Sequence, residues 1–308
     1  DTTTQLPFFL KFEQTAEPVL YREHGRSFTQ QVRSRLLDQG VQRVYIRLAD
    51  EGVYHRYLES NLANILADPS VALDAKVEML YDCAQFVVHD ILANPQAEAV
   101  VSRSQDLVDA TAGFLFADRA TFPKFLRATA LDYHVYTHSV NVFVYSMMLA
   151  RRLNLGDDDL MRRFGLGALL HDIGKSKVKP DTLNFPGKLS DEQWVEMKQH
   201  PVWGWQILLD HGVDDPIVLE ITRSHHEKLN GSGYPDKLEA DAIPDYVRVV
   251  TVCDIFDALT TKRSYKGEVN SFPALQIMHT EMRGQIDLKI FGQFVKLLAP
   301  SPEVAVSS

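Results

Sequence analysis

The spacing of hydrophobic residues divides the chain into two regions with different patterns. In the first region, short apolar runs at residues 6–12 and 18–21 and an alternating run at 42–48 predict β-strands, and residues 28–37 carry an apolar stripe at helical spacing. Gly40 and Gly52 separate these units, and longer helical patterns follow at residues 54–66 and 73–92. We therefore expect residues 1–105 to form a small α/β domain.

Helical periodicity dominates the second region, and loops rich in glycine, proline and charged residues interrupt it at 177–186 and 228–245. Ser190 and Gln193 have the spacing of a capping box, which predicts that a helix begins there. The predicted fold is mainly α, with an all-helical bundle over residues 106–298. Residues 299–308 contain two prolines and mostly small side chains, which predicts a flexible tail.

Several side chains that commonly bind metals lie in the helical region. They are His138, His171, Asp172, His200, His225, His226 and Asp254. A single histidine is more often a core or surface residue than a ligand. A buried aspartate directly after a histidine at a helix end, however, costs free energy unless a cation or a donor meets it. The complete set of imidazoles and carboxylates is what two adjacent transition-metal ions need, and it predicts a metallohydrolase.

Six short motifs surround these residues. They are HDIGK at 171–175, LNFPGKL at 183–189, HP at 200–201 followed by Gly204, HHE at 225–227, GSGYP at 231–235 and DIFDALT at 254–260. In this order they resemble the HD-GYP subgroup of the HD-domain phosphohydrolases, over roughly residues 110–298, and they are far more specific than one His-Asp pair. The resemblance implies an all-helical phosphodiesterase that hydrolyses the bacterial second messenger cyclic di-GMP to linear pGpG, with further hydrolysis to GMP left open.

For the metal ligands, the resemblance implies two ions bridged by Asp172 and by a water or hydroxide. The other ligands divide between the ions, with His138, His171 and Asp254 on the first and His200, His225 and His226 on the second. Imidazole and carboxylate ligands suit iron or manganese better than magnesium, which prefers oxygen ligands. Iron is our first choice and manganese the alternative.

The resemblance also assigns residues to the substrate. Lys175 matches the lysine that faces the scissile phosphate, so Lys175 and Asp172 are the candidate catalytic residues. Arg263 and Lys266 match the basic pair that contacts substrate phosphates. The motif loop, which either shapes the pocket rim or marks a protein-interaction surface, consists of Gly233, Tyr234 and Pro235.

The chain departs from the family pattern near the pocket. His134 lies one helical turn before His138, so it is either an added ligand or an outer-shell residue. Other positions differ from the family's usual residues, namely Phe185, Asn230, Lys237, Ala240, Lys262 and Ser264. They keep open an alternative in which the protein binds metal but turns over little or no substrate, and acts as a cyclic di-GMP receptor or a protein-interaction scaffold. A less favoured alternative is hydrolysis of another nucleotide.

The composition of the chain narrows its possible partners and its location in the cell. A net charge of -9 and a pI near 5.7 argue against binding along a nucleic-acid polymer, whereas a cyclic dinucleotide needs only a local basic pocket. Cys83 and Cys253 form no CxxC motif, and no apolar stretch is long enough to span a bilayer. We therefore predict a cytoplasmic protein without membrane insertion. We expect the N-terminal domain to be a regulatory or partner-binding module, and the Gly-Tyr-Pro loop is a second candidate surface for protein partners.

Overall fold

The computed structural model describes residues 2–3, 6–11, 18–23, 27–41, 43–118, 120–128, 135–261 and 271–299. The chain divides into two compact units, Asp1–Leu62 and Ala63–Ser308. Of the predicted tail at residues 299–308, only the exposed Ala299 lies within the described residues.

The first unit contains two small antiparallel strand pairs. Strand β1 (Thr2–Thr3) pairs with β4 (Ser27–Phe28), and β2 (Phe8–Leu10) pairs with β3 (Val19–Arg22). Helix α1 (Gln30–Asp38) follows, and its first turn is capped by Thr29, whose hydroxyl accepts from the N–H of Val32 at 3.3 Å. Leu6, Leu10 and Leu36 are buried in this unit. Helix α2 (Glu51–Ala67) begins here and continues across the boundary between the units.

The prediction of a strand at residues 42–48 is wrong. In the described part of this segment, Tyr45 forms one isolated antiparallel bridge with Phe9, and the chain then enters a 3-10 helix at Leu48–Asp50. Val44 and Leu48 are 41% and 84% exposed. The alternating apolar residues therefore cover no core, and nothing stabilises a longer ladder.

The second unit is helical. Its α-helices are α3 (Leu73–Ala93), α4 (Val100–Ala117), α5 (Thr121–Ala128), α6 (Val135–Leu153), α7 (Asp158–Leu170), α8 (Pro180–Leu183), α9 (Asp191–Met197), α10 (His200–Asp210), α11 (Pro216–Ser224), α12 (Asp245–Thr261), α13 (Ser271–Thr280) and α14 (Leu288–Leu298). Helix α6 packs against α3, α7, α12 and α14, and Phe143 and Met147 on α6 are fully buried. The mainly helical fold is confirmed, as is the capping box at Ser190 and Gln193 that begins α9.

Helix α3 belongs to the compact helical unit. It packs against α5, α6 and the 3-10 helix Ile173–Lys177, and it buries Val77, Leu80, Val87 and Ile91. The predicted boundary near residue 105 falls inside α4, so the compact unit begins earlier in the sequence than the predicted domain. Separate functions for residues 1–105 and 106–298 stay a prediction. None of the helices in the described ranges is both long and apolar enough to cross a membrane.

Candidate metal centre

The predicted ligands converge from five helices. His138 lies inside α6 and Asp254 inside α12, so these two project from helix sides. The others lie at helix ends, where α7, α10 and α11 terminate or begin, and they are His171, Asp172, His200, His225 and His226. Helix ends allow adjacent residues such as His171 and Asp172 to face the same point, which the interior of a helix does not.

The ligand atoms form two groups. One contains Asp172, His200, His225 and His226, the other contains His138, His171 and Asp254, and within each group the atoms lie within 4.8 Å of one another. All of these residues are buried except His226, which is half-buried. The structure therefore brings together all seven residues that the sequence indicated as ligands.

Asp172 has one carboxylate oxygen in each group. Its Oδ2 lies 3.4 Å from Nε2 of His171 and 3.5 Å from Nε2 of His138. Its Oδ1 lies 3.2 Å from Nε2 of His200 and 3.7 Å from Nε2 of His225. Asp254 also contacts both groups, with Oδ1 3.1 Å from Nε2 of His138 and Oδ2 3.4 Å from Nδ1 of His226. Asp172 differs from Asp254 in lying beside two imidazoles of each group.

Backbone carbonyls fix the orientation of three rings. His171, His200 and His225 each place Nδ1 near the carbonyl oxygen three residues earlier, at 2.8, 2.7 and 3.0 Å respectively. Because Nδ1 then donates to the carbonyl, Nε2 of the neutral ring carries a lone pair and points into the centre. This is the tautomer that binds a metal through Nε2.

Acceptor atoms consequently face one another. Nε2 of His200 lies 3.3 Å from Nε2 of His225 and 3.2 Å from Oδ1 of Asp172, and none of these atoms has a proton to share when the rings are neutral. Within the described chain, Nε2 of His171 and Oδ1 of Asp172 make no hydrogen bond. Buried acceptors without a donor cost about 1–3 kcal/mol each. The residues therefore fit bound divalent cations, and their imidazole and carboxylate chemistry fits transition metals.

Burial and charge hold these groups in their metal-binding protonation states. Burial lowers the pKa of His225 well below its usual value and lowers that of His226 to about 3, although nearby carboxylates oppose both shifts. Burial alone would raise the pKa of Asp172, but Lys175 and His171 outweigh it and keep that pKa well below its usual range. His225 and His226 are therefore neutral imidazoles beside the ionised carboxylate of Asp172.

His138 has the opposite shift. Burial lowers its pKa, but hydrogen bonds to Asp254 and Asp257 outweigh burial and raise the pKa to about 10. Its Nε2 lies 3.1 Å from Oδ1 of Asp254. The carboxylates thus create a strongly negative potential at this nitrogen, which favours a cation there and which a metal ion satisfies when it displaces the proton.

Residues 123–290 match a protein family described as HD domain. The chain belongs to the HD domain family. The adjacent His171 and Asp172, around which the two ligand groups form, are the His-Asp pair expected from the sequence.

Similar proteins of known name include phosphodiesterases of cyclic dinucleotides. The chain is 36% identical over 201 residues to a cyclic di-GMP phosphodiesterase of Pseudomonas aeruginosa, a match that covers 65% of this chain and 48% of that protein. It is 37% identical over 168 residues to a 3'3'-cGAMP-specific phosphodiesterase of Vibrio cholerae, covering 54% of this chain and 36% of that protein. The chain therefore spans about half or less of the length of these relatives.

One solved structure shares the fold over nearly the whole chain. It is an HDG"Y"P protein from Bdellovibrio bacteriovorus, with a TM-score of 0.71, 23% identity, and coverage of 97% of this chain and 95% of that chain. The fold of both regions, including the segment before the HD domain, therefore occurs in another protein.

Lys175 lies beside the shared carboxylate of the HD domain. Its Nζ donates to Oδ2 of Asp172 at 2.5 Å, and its side chain is 18% exposed. It projects from the 3-10 helix Ile173–Lys177, which directly follows the His-Asp pair. A partly accessible cation at this point is within reach of both the ligand groups and solvent.

Two glycines let backbone segments of the HD domain approach closely. A Cβ at Gly174 would lie 1.9 Å from the carbonyl oxygen of His200, and a Cβ at Gly233 would lie 2.5 Å from the backbone of Glu227. Gly174 therefore allows the segment after Asp172 to pack against the start of α10. Gly233 does the same for the Gly-Tyr-Pro loop and the residues after α11.

The Gly-Tyr-Pro loop is anchored next to the second ligand group. The ring of Tyr234 lies 4.8 Å from that of His226, and Trp194 packs against Tyr234 edge-on at 6.3 Å. The buried carboxylate of Glu227 accepts from the N–H groups of Asp236, Lys237 and Leu238 at 2.6, 2.9 and 3.0 Å. The loop is therefore fixed against the centre by a residue that our sequence analysis quoted only as part of a motif.

Sequence analysis also missed residues that orient His138. Asp257 and Asn141 are buried within hydrogen-bond distance of this part of the centre. Each lies three positions after a ligand, Asp257 after Asp254 and Asn141 after His138, so helical spacing is the signal that points to them.

Three predicted site residues lie outside the described residues. They are His134, the possible extra ligand, and the substrate-binding pair Arg263 and Lys266. The substituted positions Lys262 and Ser264 lie outside them as well. Their roles stay predictions.

Proposed function

We propose that this chain is a two-metal phosphodiesterase that hydrolyses cyclic di-GMP to linear pGpG in bacterial second-messenger signalling. The observation that carries the proposal is the position of Asp172, whose two oxygens lie at 3.2–3.7 Å from imidazole nitrogens of two different ligand groups. The name of the Pseudomonas aeruginosa relative supports the substrate. The activity assay described below also detects any further hydrolysis of pGpG to GMP.

The proposed cofactors are two iron ions, with manganese as the alternative. The first would be held by His138, His171 and Asp254, the second by His200, His225 and His226, and both by Asp172. When bound, such ions neutralise a phosphodiester and supply a nucleophilic hydroxide at neutral pH. The predominance of imidazole supports iron or manganese over magnesium.

Around this centre the chain's own side chains bind and polarise the substrate. Lys175 would donate to a phosphate oxygen and stabilise the additional negative charge that develops as the nucleophile adds to phosphorus. We propose that Arg263 and Lys266 bind the substrate phosphates. Tyr234 covers one side of His226, with Trp194 packed edge-on against Tyr234, and would limit the access of water there.

The activity test uses matched lysine variants. Reduced, iron-loaded protein incubated with cyclic di-GMP should yield linear pGpG, which chromatography separates from the substrate. Lys175→Ala should lower kcat by about 100-fold or more, because it removes charge stabilisation at phosphorus. Lys177→Ala changes an exposed lysine of the same 3-10 helix and should leave kcat within about twofold. Absence of product from both reduced and oxidised protein would overturn the proposal.

A second candidate function is a metal-bound receptor or scaffold. It is favoured by Phe185, which is 47% exposed in the segment between α8 and α9 and offers an apolar contact to a partner. Calorimetry with cyclic di-GMP separates the alternatives, since saturable binding without hydrolysis supports a receptor. Loss of both binding and hydrolysis supports a protein-interaction role through the N-terminal domain or the Gly-Tyr-Pro loop.

Substrate choice and location complete the proposal. A parallel assay with 3'3'-cGAMP tests the alternative dinucleotide that the name of the Vibrio cholerae relative suggests. We propose a cytoplasmic location, which the two buried thiols of Cys83 and Cys253 support.

A further inference from the structure

A chain of buried hydrogen bonds leads from α3 to the metal ligand His138. The hydroxyl of Tyr81 donates to Oδ1 of Asn141 at 3.1 Å, and Nδ2 of Asn141 donates to Oδ1 of Asp257 at 2.9 Å. Oδ2 of Asp257 accepts from Nδ1 of His138 at 2.7 Å. All four side chains are at least nine-tenths buried.

The direction of each hydrogen bond is determined by the chemistry of the groups. The carboxylate of Asp257 accepts at both oxygens, so the amide of Asn141 turns its NH₂ toward Asp257. Its carbonyl then faces Tyr81 and needs a donor, which the phenol provides. Because Nδ1 of His138 donates to Asp257, Nε2 of the ring is directed toward the first ligand group.

Tyr81 comes from outside the family match. It lies on α3, whereas the HD domain match covers residues 123–290. Its ring packs edge-on against Phe125 at 5.4 Å, which places the hydroxyl independently of the hydrogen bond. Helix α3 also packs against the 3-10 helix that carries Lys175.

We propose that Tyr81 is a positioning residue for the first metal site, acting through Asn141 and Asp257 on the orientation and tautomer of His138. The inference rests on the two-metal site of the proposed function. Helix α3 then contributes to metal binding through Tyr81. Loss of the phenol hydroxyl would leave the carbonyl of Asn141 without its donor and would reduce the constraint on the orientation of Asp257.

Titration with Mn²⁺ tests this inference without any nucleotide. Free Mn²⁺ is followed by electron paramagnetic resonance in wild type, Tyr81→Phe and Asp257→Asn, and thermal denaturation reports folding. Asp257→Asn should weaken one of the two sites by about 10- to 100-fold, and Tyr81→Phe should weaken that same site by about 10-fold. Tyr145→Phe is the matched control, since it removes the hydroxyl of another buried tyrosine whose ring packs against Phe122 and Phe256.

The outcomes separate positioning from packing. The inference is supported if Tyr81→Phe weakens Mn²⁺ binding at one site, leaves the other site unchanged, and affects the same site as Asp257→Asn. Equal weakening of both sites, a loss equal to that of Tyr145→Phe, or no change in Tyr81→Phe overturns it. If the wild type binds a single ion, the two-metal proposal fails, and the inference is then decided by whether Tyr81→Phe weakens that ion.

Discussion

His138 and His200 are both buried imidazole ligands, yet the protein holds them in different ways. His200 is oriented by a carbonyl three residues earlier in the chain, as are His171 and His225. His138 is oriented by Asp257, a side chain 119 positions away on another helix. The comparison shows that a backbone-held ligand is placed by local structure, whereas His138 depends on the packing of α3, α6 and α12.

The largest expected effect comes from forcing apart the backbone segments around the second group. Gly174→Ala would place a Cβ 1.9 Å from the carbonyl oxygen of His200, so we expect it to lower the free energy of unfolding by about 3 kcal/mol. Gly113→Ala is the control, because nothing lies within 4 Å of its Cβ, and it should raise stability by about 0.5–1 kcal/mol. Urea denaturation measures both, and equal stabilities would contradict the close approach.

The next effect tests whether the two ligand groups are separable. His200→Ala removes a ligand from the second group only, so the folded protein should retain about one ion per chain. Elemental analysis measures the metal, and circular dichroism confirms folding. Retention of both ions with wild-type affinity would show that His200 is not a ligand.

A smaller effect concerns the Gly-Tyr-Pro loop. Glu227→Gln weakens three charge-assisted hydrogen bonds from the loop backbone, and we expect a loss of about 1–3 kcal/mol in the free energy of unfolding. Glu239→Gln, at an exposed position of the same connection between α11 and α12, is the matched control and should change stability by less than about 0.5 kcal/mol. Similar values for the two variants would show that Glu227 does not anchor the loop.

The smallest effect is at Lys237, whose φ of 57° lies in the left-handed region. Lys237→Gly should stabilise the protein by about 0.5–1 kcal/mol, because a non-glycine residue is strained there. Lys237→Ala removes the same charge and keeps the Cβ, so it should give no such gain. A larger stabilisation by alanine than by glycine would contradict the conformational explanation.

The candidate ligands that the structure brings together could be identified from the sequence, because residue type and short motifs mark them. His171 with Asp172, and His225 with His226, lie at helix ends that apolar periodicity marks. The connection from Tyr81 to His138 was not predictable, since Tyr81 and Asn141 are 60 positions apart and meet only through helix packing. The prediction of a strand near Val44 was wrong because it also depended on tertiary contacts. Alternation of apolar residues indicates a strand only when a partner and a core lie beside it.

The metal content of Asp172→Ala tests the central claim most directly. Asp172 faces both ligand groups, and its charge offsets the mutual repulsion of two cations, which no neutral ligand does. We therefore expect elemental analysis of the folded variant to find both ions lost together, with about one ion left in His200→Ala measured in parallel. A folded Asp172→Ala protein that still carries about two ions per chain would contradict the assignment of Asp172 as the bridge.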